Sequence, residues 1–147
     1  MSHIRKKIRD ALVTALTGLT TTGSRVYRSR VYPLESGKLP GLCIYTKSEE
    51  VVNSTLTRPR TQTRQLEAAV EAYLMANTNF DDTLDTIAVE VEEAIYSNAA
   101  LNALVKQINI TGFEADYSGD GEKVVGVGTF SVQIIYSAKE NDIETAA

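Results

Sequence analysis

Apolar residues recur at helical spacing at Ile4, Ile8, Ala11, Leu12, Ala15, Leu16 and Leu19, which predicts an amphipathic opening helix. Ser2 is placed to cap it, and Gly18 or Gly23 to end it. From Arg25 to Val31, basic residues alternate with Val26, Tyr27 and Val31, the pattern of a short strand near a sheet edge, broken by Tyr32-Pro33-Leu34. Leu42, Ile44 and Thr46 share one face of a central strand launched by Leu39-Pro40-Gly41. Residues 47–63 are polar and charged, so they read as a long hairpin arm or loop. Leu66, Ala68, Val70, Ala72 and Leu74 then alternate without a break. Their helix-forming composition is outweighed by that period, because a helix here would scatter charge around its circumference.

A second helix follows from the stripe Leu84, Ile87, Ala88, Val91, Ala94 and Ile95, capped by Asn79 or Asp81 and closed at Asn98. Residues 99–104 make one further turn. A final hairpin pairs 105–117, with Gly112 as a bulge, against 123–137, turning at Ser118-Gly119-Asp120-Gly121. Phe130, Val132, Ile134 and Tyr136 would be buried, and Val127, Thr129, Ser131 and Gln133 partly wet. The sum is an α+β fold: an antiparallel or mixed β-sheet with two α-helices on one face and a long hairpin arm or loop. Residues 1–137 are expected as a single domain with 47–63 protruding, and 138–147 as a flexible C-terminal tail.

Composition narrows the function more than the fold. At 147 residues, 43% hydrophobic and 23% charged, the chain matches one globular domain. No run approaches the roughly 18 apolar residues of a membrane span, and no signal-peptide core is present, so no membrane partner and a cytoplasmic site of synthesis are expected. The lone Cys43 cannot form an intrachain disulfide. His3, the sole histidine, lies at the chain's start and would be a poorly supported base. One His and one Cys are too few for a structural zinc site, and Asp116, Asp120 and Glu122 miss the spacing of a calcium loop. Gly126-Val127-Gly128 opens a strand, so its glycines mark close approach or curvature in place of a phosphate loop. A carboxylate enzyme would have to draw on Glu67, Glu71, Glu90 and Glu92, whose spacing gives it no support. The chain is therefore expected to be non-enzymatic, with no catalytic residue, metal or cofactor.

The net charge of −4 opposes nucleic-acid binding, yet the charge is uneven. Basic residues crowd between Arg5 and Arg64, whereas 67–93 is acidic without a lysine or arginine. Such sidedness would orient copies of the chain against one another; it would equally suit two solvated faces. The candidate subunit or partner interface comprises Arg25, Arg28, Arg30, Arg58, Arg60 and Arg64 on one side and Glu67, Glu71, Glu90 and Glu93 on the other. The overall charge favours an acidic protein partner for these arginines over phosphate.

The opening helix, Arg25-Val26-Tyr27, Tyr32-Pro33-Leu34 and the run Leu39-Pro40-Gly41-Leu42-Cys43-Ile44-Tyr45-Thr46 leading into Glu49-Glu50 resemble the tail terminator proteins of long-tailed phages, the lambda-like minor tail protein U family. The later order of arm, alternating strand, helix and hairpin extends the likeness over nearly the whole chain. The resemblance implies a structural virion protein that forms a homohexameric ring at the head-proximal end of the tail. There it caps the tail tube, stops its polymerisation and offers the head-tail joining surface. The implied partners are copies of itself, the tail tube protein and a head-completion or connector protein, with DNA at most passing through the lumen and assembly in the host cytoplasm. Another neck or tail protein, a head-completion subunit or a tube subunit, is the alternative.

Overall fold

A computed structural model describes residues 3–23, 25–27, 40–75, 80–118 and 125–146. Among these described residues nine elements follow in order: α1 (Ile4–Leu16), β1 (Val26–Tyr27), β2 (Gly41–Asn53), β3 (Thr61–Met75), α2 (Phe80–Ser97), α3 (Ala99–Leu104), β4 (Gln107–Ser118), β5 (Val125–Lys139) and β6 (Asp142–Ala146). The sheet runs β1-β2-β3-β5-β4, with β6 pairing β5. All neighbours are antiparallel except β1 and β2, so the sheet is mixed, as expected.

The strand period places Leu66, Ala68, Val70, Ala72 and Leu74 of β3 on the face that meets the helices. In register beside them on β5 stand Phe130, Val132, Ile134 and Tyr136, all buried. Ile4, Ile8, Leu12 and Leu16 of α1 and Leu84, Ile87, Val91 and Ile95 of α2 close the same core. Fully burying one such side chain contributes about 1.5–3 kcal/mol, so this shared face dominates the fold's stability. The other face of β3 is less wet than expected at its centre: Glu71 is 5% exposed beside the fully buried Cys43 and Ala69. The Tyr73 hydroxyl donates to Glu71 Oε1 at 3.0 Å, which gives that carboxylate a partner.

Several boundaries differ from the sequence reading. His3 caps α1, its Nδ1 accepting the Arg5 N–H at 3.0 Å; Ser2 lies outside the described residues. Gly18, at φ +92°, turns the chain where α1 ends. The arm expected over 47–63 is in large part sheet: β2 extends through Asn53 and β3 starts at Thr61, leaving only 54–60 as the turn. Alternation failed to reveal these strand ends because β2 from Glu50 to Asn53 is exposed on both faces, Val51 and Val52 included, and β3 from Thr61 to Gln65 is polar on both. Asn98 does close α2, which ends at Ser97, and it is also the N-cap of α3, its side chain accepting Leu101 N–H at 2.8 Å. The bulge expected at Gly112 is present, the register shifting between Ile110 and Gly112.

Residues 138–146, expected to belong to a flexible tail, join the sheet through the end of β5 and through β6. β4 begins opposite Ile135, which leaves the far end of β5 unpaired on that side, and β6 occupies the vacant edge. Ile143 packs on the core and Lys7 Nζ donates to Glu144 O at 2.5 Å. The expected turns at 32–34 and 119–121 and the expected cap at Asn79 lie outside the described residues.

Candidate functional site

Three features stand out once the core is set aside: a buried ionic hub, an exposed hairpin tip and a groove beside α2. The hub forms where α1 begins. A bulge between Thr46 and Ser48 shifts the side-chain phase of β2, so Glu49 falls opposite Leu66, on the helix face of the sheet. Its side chain is only 6% exposed. Arg5 Nη1 lies 2.6 Å and Arg64 Nη1 3.0 Å from Glu49 Oε2, and the Tyr136 hydroxyl donates to Oε1. Arg64 also donates from Nη2 to Gln62 Oε1 at 2.9 Å. A carboxylate this deep requires that much pairing, because desolvation otherwise exceeds the attraction. Burial first, and the hydrogen bond to Glu49 second, raise the Tyr136 phenol above its ordinary value. Burial lowers His3 at the same corner, helped by the Arg5 and Arg64 charges and opposed by Glu49. The hub thus ties α1, β2, β3 and β5 together at the base of the hairpin.

Beyond that base the hairpin is solvent-exposed. Ser54 N donates to Thr61 O at 2.7 Å and Glu140 N to Arg60 O at 2.9 Å, which fixes the ends of the 54–60 turn. At its tip Leu56 is 98% exposed, with Arg58 exposed two residues on. Leu56 thus stands in solvent on a turn whose ends are anchored.

The groove lies at the opposite edge of the sheet. Ala88 of α2, Ile110 and Phe113 of β4 and Phe130 of β5 line it, with Asp85 and Glu92 at its α2 side, around a volume of about 370 Å³. Phe113 tilts onto Phe130 with ring centroids 4.9 Å apart and stays 43% exposed. Val89 and Tyr96 extend the apolar surface along α2, at 55% and 49% exposure.

Of the ten residues expected at an interface, eight are described, and the fold holds them in different settings. Arg25 donates to Pro40 O at 2.7 Å and Thr21 O at 3.1 Å, holding the chain before β1. Arg64 belongs to the hub, and Arg60 Nε meets Glu140 Oε2 at 2.9 Å. Hydrogen bonds from Arg60, backbone first, hold the Glu140 carboxyl below its ordinary value. Glu90 accepts the Thr21 N–H at 2.9 Å and clamps the 17–23 turn. Glu71 is buried and Glu67 half-buried on the sheet face away from the helices. Arg58 and Glu93 are exposed; Arg28 and Arg30 lie outside the described residues. The carboxylates considered for an enzyme, Glu67, Glu71, Glu90 and Glu92, are thus spread over three settings. Leu56, Asp85 and Glu92 were absent from the expected interface, and the sequence signal for Leu56 was an isolated apolar residue in a polar arm whose other aliphatic residues are Val51 and Val52.

The profile of the phage minor tail protein U family matches residues 3–136 of the chain. Among solved structures, a chain from the virion of a native gene transfer agent particle is similar at 16% identity, covering 90% of this chain and 91% of that one, with a TM-score of 0.34. No curated protein matches the chain.

Proposed function

We propose a specific role from the premise that this chain belongs to the phage minor tail protein U family, as the match over residues 3–136 shows. It is therefore a structural protein of the phage tail, working in the virion with other phage structural proteins. Within that class we assign it the tail terminator role: a ring of six copies that caps the head-proximal end of the tube, halts its growth and receives the head-completion protein. The family match carries this reading. The structure is compatible with it, since the exposed apolar and charged features lie at separated places on the surface, as a head-to-tail ring contact requires.

The test is tube growth. Added to polymerising tube subunits of the same phage, the chain should arrest elongation and appear as one extra disc at a single end of each tube. Long tubes formed by the chain alone would identify a tube subunit instead, and binding to the head vertex without effect on tube length would identify a head-completion protein.

A further inference from the structure

The hairpin tip and the α2/β4 groove carry opposite charges beside apolar surface, and one molecule cannot bring them together. Thr61, at the tip end of β3, pairs with Lys139, while Phe130 in the groove lies further back along the same β5 strand. At about 3.3 Å per residue that offset is about 30 Å, and the groove also sits on the β4 edge, away from the β2–β3 hairpin. Any contact between them must join two copies.

We propose that the 54–60 turn of one copy docks on the next copy, with Leu56 entering the groove between α2 and β4 and Arg58 lying against the rim carboxylates Asp85 and Glu92. The occupant is thus a second copy of this chain, an assignment that rests on the ring reading above. Three observations support it. Leu56 is 98% exposed on a turn whose two ends are fixed by backbone hydrogen bonds, so the side chain is presented at little ordering cost. The groove's apolar lining and volume of about 370 Å³ accommodate a leucine with its neighbouring threonines. The charges are opposed, a guanidinium beside the leucine and two carboxylates beside the groove, which fixes orientation and disfavours tip-to-tip or groove-to-groove contacts. Because donor and acceptor are different patches, the contact is heterologous, and a suitable rotation closes it into a ring.

Mixing variants tests this on the full chain. Leu56→Asp removes the donor, and the double variant Asp85→Lys, Glu92→Lys reverses the acceptor; all three positions are exposed, so unfolding midpoints should match wild type. Each variant alone should self-associate at least tenfold more weakly in sedimentation. An equimolar mixture should recover dimers and nothing larger, since one working tip and one working groove remain per pair. In parallel, Leu56→Cys mixed with Thr111→Cys, in the β4 wall of the groove, should give at least tenfold more disulfide-linked heterodimer on mild oxidation than Leu56→Cys mixed with Thr14→Cys, on α1. The disulfide decides between the outcomes. Without that enrichment the docking is overturned, even where wild type forms rings, and the ring reading then stands on another interface. Enrichment with a wild type that never closes into rings keeps the docking and removes the ring.

Discussion

One carboxylate, Glu49, accepts hydrogen bonds from two guanidiniums and a phenol at a position only 6% exposed, so the cost of removing it falls on the partners left behind. Glu49→Ala should destabilise the protein by about 3 kcal/mol in denaturant titrations, because Arg64 would remain largely buried without its counter-charge. The reciprocal Arg5→Ala should cost less than about 1 kcal/mol, since that guanidinium is 39% exposed and partly screened. His3 adds a pH dependence of defined sign. Its folded value lies below 6.5, so below pH 6.5 the unfolded chain binds the proton first and stability falls as pH drops toward the folded value. His3→Asn keeps an N-cap acceptor but does not titrate, and should flatten the melting temperature against pH between about 7 and 5. None of this pairing was legible from the sequence. Glu49 is separated from Arg5 by 44 residues and from Tyr136 by 87, and nothing in a charge pattern says which of many arginines a buried carboxylate will meet. The same ignorance made Arg25, Arg64 and Glu90 look available for a partner when the chain itself employs them.

Elements were far more readable, because a buried face imposes its period on the sequence. The stripes of α1 and α2 and the unbroken alternation from Leu66 to Leu74 correspond to the observed helices and to β3. Legibility faded where that constraint lapses: the end of β2 is exposed on both faces, the start of β3 is polar on both, and β6 contributes a single core contact through Ile143. The glycines at 126 and 128 were read as marking close approach or curvature, and the packing supports the first. A Cβ at Gly126 would lie 2.0 Å from Phe80 Cε2, and one at Gly128 2.6 Å from Leu84 Cδ1. Gly126→Ala and Gly128→Ala should each cost about 1–3 kcal/mol as α2 is pushed off the sheet. Gly112→Ala, where a Cβ meets nothing within 4 Å, should change stability by less than about 0.5 kcal/mol.

For the whole molecule, the relevant fact is where unsatisfied surface remains after folding. Among the described residues Lys6, Lys7, Lys47 and Arg58 of the basic front half and Asp81, Asp82, Asp85, Glu92 and Glu93 of the acidic middle stay exposed, while Arg25, Arg64 and Glu90 are held by partners within the fold. Two outward features pair apolar surface with charge: Leu56 with Arg58 at the hairpin tip, and an apolar groove flanked by Asp85 and Glu92 at the far edge. A structural tail protein needs contacts of this kind, with unlike patches on one subunit, and the terminator reading further demands that they close after a fixed number of copies. Native mass spectrometry of the purified chain measures that closure directly. A dominant species of six copies that does not grow as concentration is raised is the expected result. A continuous ladder of larger assemblies, or a single-copy species at every concentration, would contradict the closed ring.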